Sequence, residues 1–196
     1  MIFTDENRLK LQEYLATHEL PSGIGTKESA CSIAAINLAI SGKLTDDIPP
    51  CMSLALGRAT ITLQDAIPHD MRNSERFKSL LPHMAGTGRD REQERADVLI
   101  DWMWSTVLPA IQHVADAGGF GNKWRRMCTE RTLAYAGAAA ARAAYAGAAA
   151  YAANAASDAA NAAANAAYAG AAFWRNVDPI GVLERATFLG AVGAPQ

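Results

Sequence analysis

Ala59-Thr60-Ile61-Thr62-Leu63 is the one stretch of the chain that alternates polar and apolar residues with the two-residue period of a strand. As a strand it would demand a sheet, and as a helix it leaves the whole chain helical. Its flanks favour helix. Pro49 and Pro50 open a helical pattern that runs through Leu54, Leu56, Ile61 and Leu63 and ends before Pro68. The alternation is short beside that pattern, so the expected fold class is all-α.

Working outward, the segment from Asp5 to Glu19 sets Leu9, Leu11, Tyr14 and Leu15 among charges and stops at Pro21. Thr26 is placed as the N-cap of a helix that buries Ile33, Ile36, Leu38 and Ile40 and ends at Gly42. On the other side, a short helix follows Asn73 and carries Phe77, Leu80 and Leu81. After Gly86-Thr87-Gly88 a longer helix covers Arg91 to Ala117, with Pro109 expected to kink it. Trp102 and Trp104 fall on different faces of that helix, so one of them is expected at the surface. Gly118-Gly119-Phe120-Gly121 breaks the pattern, and a last long helix begins near Asn122. The terminal piece with Val182, Leu183, Phe188 and Leu189 is expected to pack back on the body.

The helix from Asn122 is expected to continue into an unusual tract. From Ala134 to Ala172, 26 of 39 residues are Ala and four are Tyr, with no Leu, Ile, Val, Met or Phe. Half of the 196 residues are apolar, but outside this tract the count is 68 of 157, an ordinary globular share. The expected organisation is a helical body (1–121), an Ala-rich helical segment (122–176) and a C-terminal segment (177–196) packing on the body. Ala is the strongest helix former, so a long helix or a helical hairpin is expected. Two stripes lie on it. One joins Trp124, Cys128, Arg131, Tyr135, Arg142 and Tyr145, and the other joins Tyr151, Asn154, Asp158, Asn161, Asn165 and Tyr168, each at helical spacing. The six-residue step between Tyr145 and Tyr151 breaks phase and predicts a break near Gly147. The plain reading is an Ala-rich helix packed on the body or on another copy, with Asn and Tyr solvated. Because Asn is a poor helix former, the alternative is that the Asn/Asp ladder hydrogen-bonds across an interface or to a polar ligand. Arg142 and the ladder make a membrane span costly, and no membrane partner is expected.

Eighteen basic against twenty acidic residues give a net charge of −2, which argues against a nucleic-acid partner. Cys31, Cys51 and Cys128 form no CxxC pair, as suits a reducing compartment. Asp5, Glu6, Arg8, Lys10 and Glu13 interrupt any signal-peptide run, so a cytoplasmic location is expected. The four His sit singly, without zinc-ligand spacing, and neither metal nor cofactor is expected.

Two loops share a Gly-Thr element followed by a cation at an expected helix start: Gly25-Thr26-Lys27 and Gly86-Thr87-Gly88-Arg89. Free backbone N–H groups, the helix dipole and a cation make an anion site. If the loops converge, Thr26, Lys27, Thr87 and Arg89 would meet an anionic small molecule, with Arg125, Arg126 and Arg131 as further cations. Cys31, early in the helix after Thr26, is the one nucleophile candidate, with His69, His83 or His113 as base. Its neighbours Ala30, Ile33, Ala34 and Ala35 read as core.

The run Glu28-Ser29-Ala30-Cys31-Ser32-Ile33-Ala34-Ala35-Ile36-Asn37-Leu38-Ala39 is followed by Ile48-Pro49-x-Cys51-Met52-Ser53, Asp70-Met71-Arg72-Asn73-Ser74, Ala85-Gly86-Thr87-Gly88-Arg89 and Leu99-Ile100-Asp101-Trp102-Met103-Trp104. In this order, with the Ala-rich section after them, these segments resemble a family of uncharacterised bacterial and phage or prophage proteins over nearly the whole chain. The resemblance carries no activity, so it transfers no site residue. It implies interaction or ligand sequestration rather than metabolism. The expected function is a non-enzymatic binding or interaction protein. It would be homo-oligomeric through the Ala-rich helix, with a polar or anionic small molecule held by Tyr151, Asn154, Asp158, Asn161, Asn165 and the Gly-Thr loops. The alternatives are a cysteine-dependent hydrolase or transferase using Cys31, and a structural assembly protein.

Overall fold

The stretch Ala59–Leu63 lies inside a helix, and its side chains show why. In a strand Ala59, Ile61 and Leu63 would share a face. Instead Leu56, Ala59, Thr60 and Leu63 are buried at helical spacing and Ile61 is half-buried. The computed structural model describes residues 2–131 and 170–190. The Ala-rich tract, its two stripes from Tyr135 onward and the break near Gly147 lie outside the described residues.

The elements in order are α1 (Asp5–Thr17), α2 (Ser32–Ser41), α3 (Leu54–Ala66), α4 (His69–Arg72), α5 (Glu75–Met84), α6 (Glu92–Trp102), a π-helical turn (Met103–Val107), α7 (Leu108–Ala110), α8 (Gln112–Ala117), α9 (Gly121–Glu130), α10 (Gly170–Val177) and α11 (Pro179–Thr187). The described residues contain no strand, only a single antiparallel bridge between Gly25 and Ala30. The fold is all-α. Helix α3 is the shared partner: it packs on α2, α6 and α11, while α1 and α5 close the other side of α2. Gly57 permits one close approach, because a Cβ there would lie 2.6 Å from Ile48 Cγ2.

Capping chemistry sets the boundaries, and several differ from expectation. Thr4 forms a capping box with Asn7 at the start of α1. Gly42 ends α2 with φ +69, the left-handed conformation that glycine adopts without Cβ strain. Thr26 is not the N-cap of α2. The helix starts at Ser32 and its cap is Cys31, whose Sγ accepts the Ala34 N–H at 3.4 Å. Pro49 and Pro50 form a turn rather than the first residues of α3, whose cap is Ser53.

Pro109 acts earlier than its own position. Its ring lacks an N–H and crowds the carbonyl four residues back. The chain widens into the π turn just before it and separates at Ile111 into α7 and α8. This segment is packed by neighbouring elements on more than one side, so Trp102 and Trp104 are both buried, at 2% and 4% exposure. Trp102 Nε1–H donates to Val177 O at 2.6 Å, tying α6 to the end of α10. Helix α9 does not run on from Asn122 in one piece, because Arg131 turns left-handed at φ 50 and ends it.

Helix α11 packs on α6, α3 and α5, burying Ile180, Val182, Leu183 and Ala186. Arg76 of α5 holds its start and middle through Asp178 (2.8 Å) and Glu184 (2.6 Å). The start of α3 is fixed from α6: the Glu92 carboxylate accepts the Leu54 and Ala55 N–H groups at 2.8 Å each and the Ser53 hydroxyl at 3.1 Å. An anion at a helix N-terminus is favoured by both the free donors and the dipole. Replacing Glu92 with Gln removes the charge and leaves one donor set poorly met. We expect a loss of about 1–2 kcal/mol in urea unfolding, and an unchanged midpoint would show that this cap contributes nothing.

Candidate functional site

The two Gly-Thr loops sit at opposite ends of α3. Gly23 N–H donates to Asp65 near the C-terminus of α3 at 2.8 Å, and the Ala30 N–H donates to the Tyr14 hydroxyl at 2.7 Å. Between them Thr26 and Ser29 close a tight turn, with Thr26 N–H on Ser29 O at 2.9 Å and the Thr26 hydroxyl accepting Glu28 N–H. Thr26 and Lys27 are exposed there.

At the other end of α3, the Thr87 hydroxyl accepts the Ser53 N–H at 3.0 Å and donates to Met84 O at 2.8 Å. Gly88 N–H reaches Cys51 O, and Arg89 donates to the Ile48 and Pro49 carbonyls. Thirteen residues of helix separate the two loops, about 20 Å. They do not converge. Thr26 and Lys27 cannot share one small ligand with Thr87 and Arg89. Tyr151, Asn154, Asp158, Asn161 and Asn165 lie outside the described residues. Arg125 pairs with Asp116, and Arg131 with Asp101, on another part of the body.

The group that stands out is Arg95, on α6. Its residue is only 4% exposed. Nη2 donates to Thr87 O at 3.2 Å, while Nε and Nη1 have no hydrogen-bond partner. Glu92, one turn earlier, is the ordinary partner for an arginine at this spacing, but its carboxylate is committed to the start of α3. Among the described residues no carboxylate lies within ion-pair distance of Arg95. Burial pulls the guanidinium below its ordinary pKa, against the opposing fields of Asp90 and Glu92. The contrast is Arg72, equally buried, whose Nε and Nη1 are spent on the carbonyls of Leu20, Gln64 and Ile67.

Other cations approach the same loop. Arg8 donates to Pro82 O at 3.1 Å, and its Nη2 lies 3.9 Å from where a Cβ on Gly86 would be. Arg91 pairs with Glu94 and donates to Leu189 O at 2.8 Å. Burial, then the charge of Arg8, lowers the pKa of the neighbouring His83 imidazole. Chemically this end of the body can recognise negative oxygen.

Arg95 was legible in principle. It falls on one helical stripe with Leu99 and Trp102, at steps of four and three, inside a run of charges that reads as a solvated face.

Cys31 is buried at 2% exposure, and its thiol pKa is pushed up by desolvation, against the smaller effect of the Ala34 and Ile33 N–H groups. A helix start lowers a thiol pKa where solvent reaches it, and here burial wins. Among the described residues no His/Cys/Asp/Glu group has the makings of a metal site, and no helix is long and apolar enough to cross a membrane. In the folded protein we expect a thiol reagent at pH 8 to label the half-buried Cys128 first, with Cys31 and Cys51 reacting only on unfolding. Rapid labelling of Cys31 would restore it as a nucleophile. Comparison with protein-family models, with curated proteins and with solved structures finds no match.

Proposed function

We propose that the protein is a non-enzymatic binding protein that assembles with copies of itself through its Ala-rich tract and takes up a polar or anionic small molecule. The supporting observation is the anchoring of the tract's two flanks. Helices α9 and α10, on either side of residues 132–169, both pack on the short helix α7, and Trp124 Nε1–H fixes α9 there through Leu108 O at 2.9 Å. A long Ala-rich insertion held at one place on the body suits an interaction element. Ala side chains bury little area each, so such a surface stabilises contact only when backbones approach closely. A second copy supplies a matching stripe, and two-fold association makes the same patch serve both partners. The Asn154, Asp158, Asn161 and Asn165 ladder then supplies hydrogen bonds across the contact. The phage association and the cytoplasmic location belong to the same reading, the latter supported by three free cysteines.

Sedimentation velocity of the full chain at high micromolar concentration tests this. We expect a dimer or larger, and a monomer throughout overturns it. Replacing Asn154, Asn161 and Asn165 together with Ala is expected to leave folding intact and weaken self-association. Unfolding of that variant would make the ladder structural. Open-ended growth with concentration would identify the structural-assembly alternative instead.

A further inference from the structure

We propose that Arg95 is the receptor for a single oxyanion group of a small molecule, bound against the Gly86-Thr87-Gly88 loop. This rests on the small-molecule half of the reading above and names its residues and ligand class.

A guanidinium has five N–H donors in a planar fork. Arg95 spends one Nη2 hydrogen on Thr87 O, and Nε and Nη1 spend none. Whichever Nη2 hydrogen is used, one complete two-hydrogen edge remains, either Nε with Nη2 or Nη1 with Nη2. That edge is the geometry that grips a phosphate or carboxylate bidentately.

An arginine so deeply buried requires compensation, and the acids around it are engaged elsewhere. Glu92 caps α3, and Glu94 holds Arg91 at 2.6 Å. Asp90 remains. It sits on the exposed side of the loop, with Oδ1 3.2 Å from the Cβ position of Gly88, and is not within ion-pair distance of Arg95.

Glycines stand on both sides of Thr87, and Gly88 holds φ +64. Neither glycine carries a side chain, and at Gly86 the nearest atoms to a Cβ position, Arg8 Nη2 and His83 O, lie 3.9 Å away, so a ligand can approach the backbone there. Arg8 approaches Gly86 from α1 and Arg95 reaches Thr87 O from α6, so two guanidinium groups meet this loop. Helix α6 begins beside it without a side-chain cap hydrogen bond, and the acids of its first turn, Glu92 and Glu94, are engaged by α3 and Arg91.

The test titrates the full-length protein with inorganic phosphate, and separately with acetate, at constant pH and chloride-matched ionic strength. The Arg95 Nε–H resonance and the Tm are followed. We expect a saturable shift of that resonance and a rise in Tm with at least one anion. The arm that saturates identifies the oxyanion as phosphate-like or carboxylate. Arg95→Lys keeps the charge but loses the fork, and should weaken the response by about tenfold or more. Arg8→Gln, at a half-buried position, should weaken it by a smaller factor and keeps the test usable if Arg95→Lys does not fold. Saturation by neither anion overturns the proposal, as does an equal response in Arg95→Lys. Self-association read by sedimentation is independent of these outcomes, so failure here and failure of the oligomer are distinguishable.

Discussion

The carboxylate of Glu92 decides how the centre of this molecule is arranged. Three donors at the start of α3 converge on it, two backbone N–H groups and the Ser53 hydroxyl. Helix α3 is in turn the element on which α2, α6 and α11 all pack. Fixing its first turn from α6 therefore sets the relation between the two halves of the body. The same commitment has an electrostatic cost one turn later. Glu92 cannot both cap α3 and neutralise Arg95, and the guanidinium is left buried with Nε and Nη1 unpartnered. Structural order at one place produces an unmet cation at the next.

Apart from the unpartnered Thr60 hydroxyl, several other buried polar groups in the body are satisfied in ways that leave no chemistry over. Arg72 gathers three loop carbonyls, Gln64 receives the Ser32 N–H, and Asn37 donates to Thr45 O and Asp47 O. Cys31 uses its sulfur as a helix cap in a dry setting that disfavours the thiolate. Read together, these groups serve as fasteners, which makes the open edge of Arg95 more conspicuous.

The fold was legible wherever periodicity or a strong stop signal carried it. Ala59–Leu63 is helical because its longer pattern, from Leu56 to Leu63, outweighs a five-residue alternation, and Gly42 ends α2 as a left-handed cap should. What escaped had competing local solutions. Thr26 looks like an N-cap, but its hydroxyl is engaged within its own turn and Cys31 takes the cap. Pro109 predicts a kink, and the chain answers with a wide turn several residues earlier, which moves Trp104 inward. Two Gly-Thr loops look alike in one dimension and stand about 20 Å apart because a straight helix separates them. The burial of Arg95 was legible from its stripe with Leu99 and Trp102, but its lack of a partner was not, because that depends on the tertiary use of Glu92.

The position of α11 has a consequence for how the molecule is made. Its partners are α3, α5 and α6, and the Arg76–Glu184 contact spans 108 residues of chain. A core whose last wall is synthesised so late cannot close segment by segment as the chain emerges. Residues 132–169 precede that wall, so they leave the ribosome before the body can complete itself. On the self-association proposed above, that segment would be available to a neighbouring nascent chain while the rest is still unfinished.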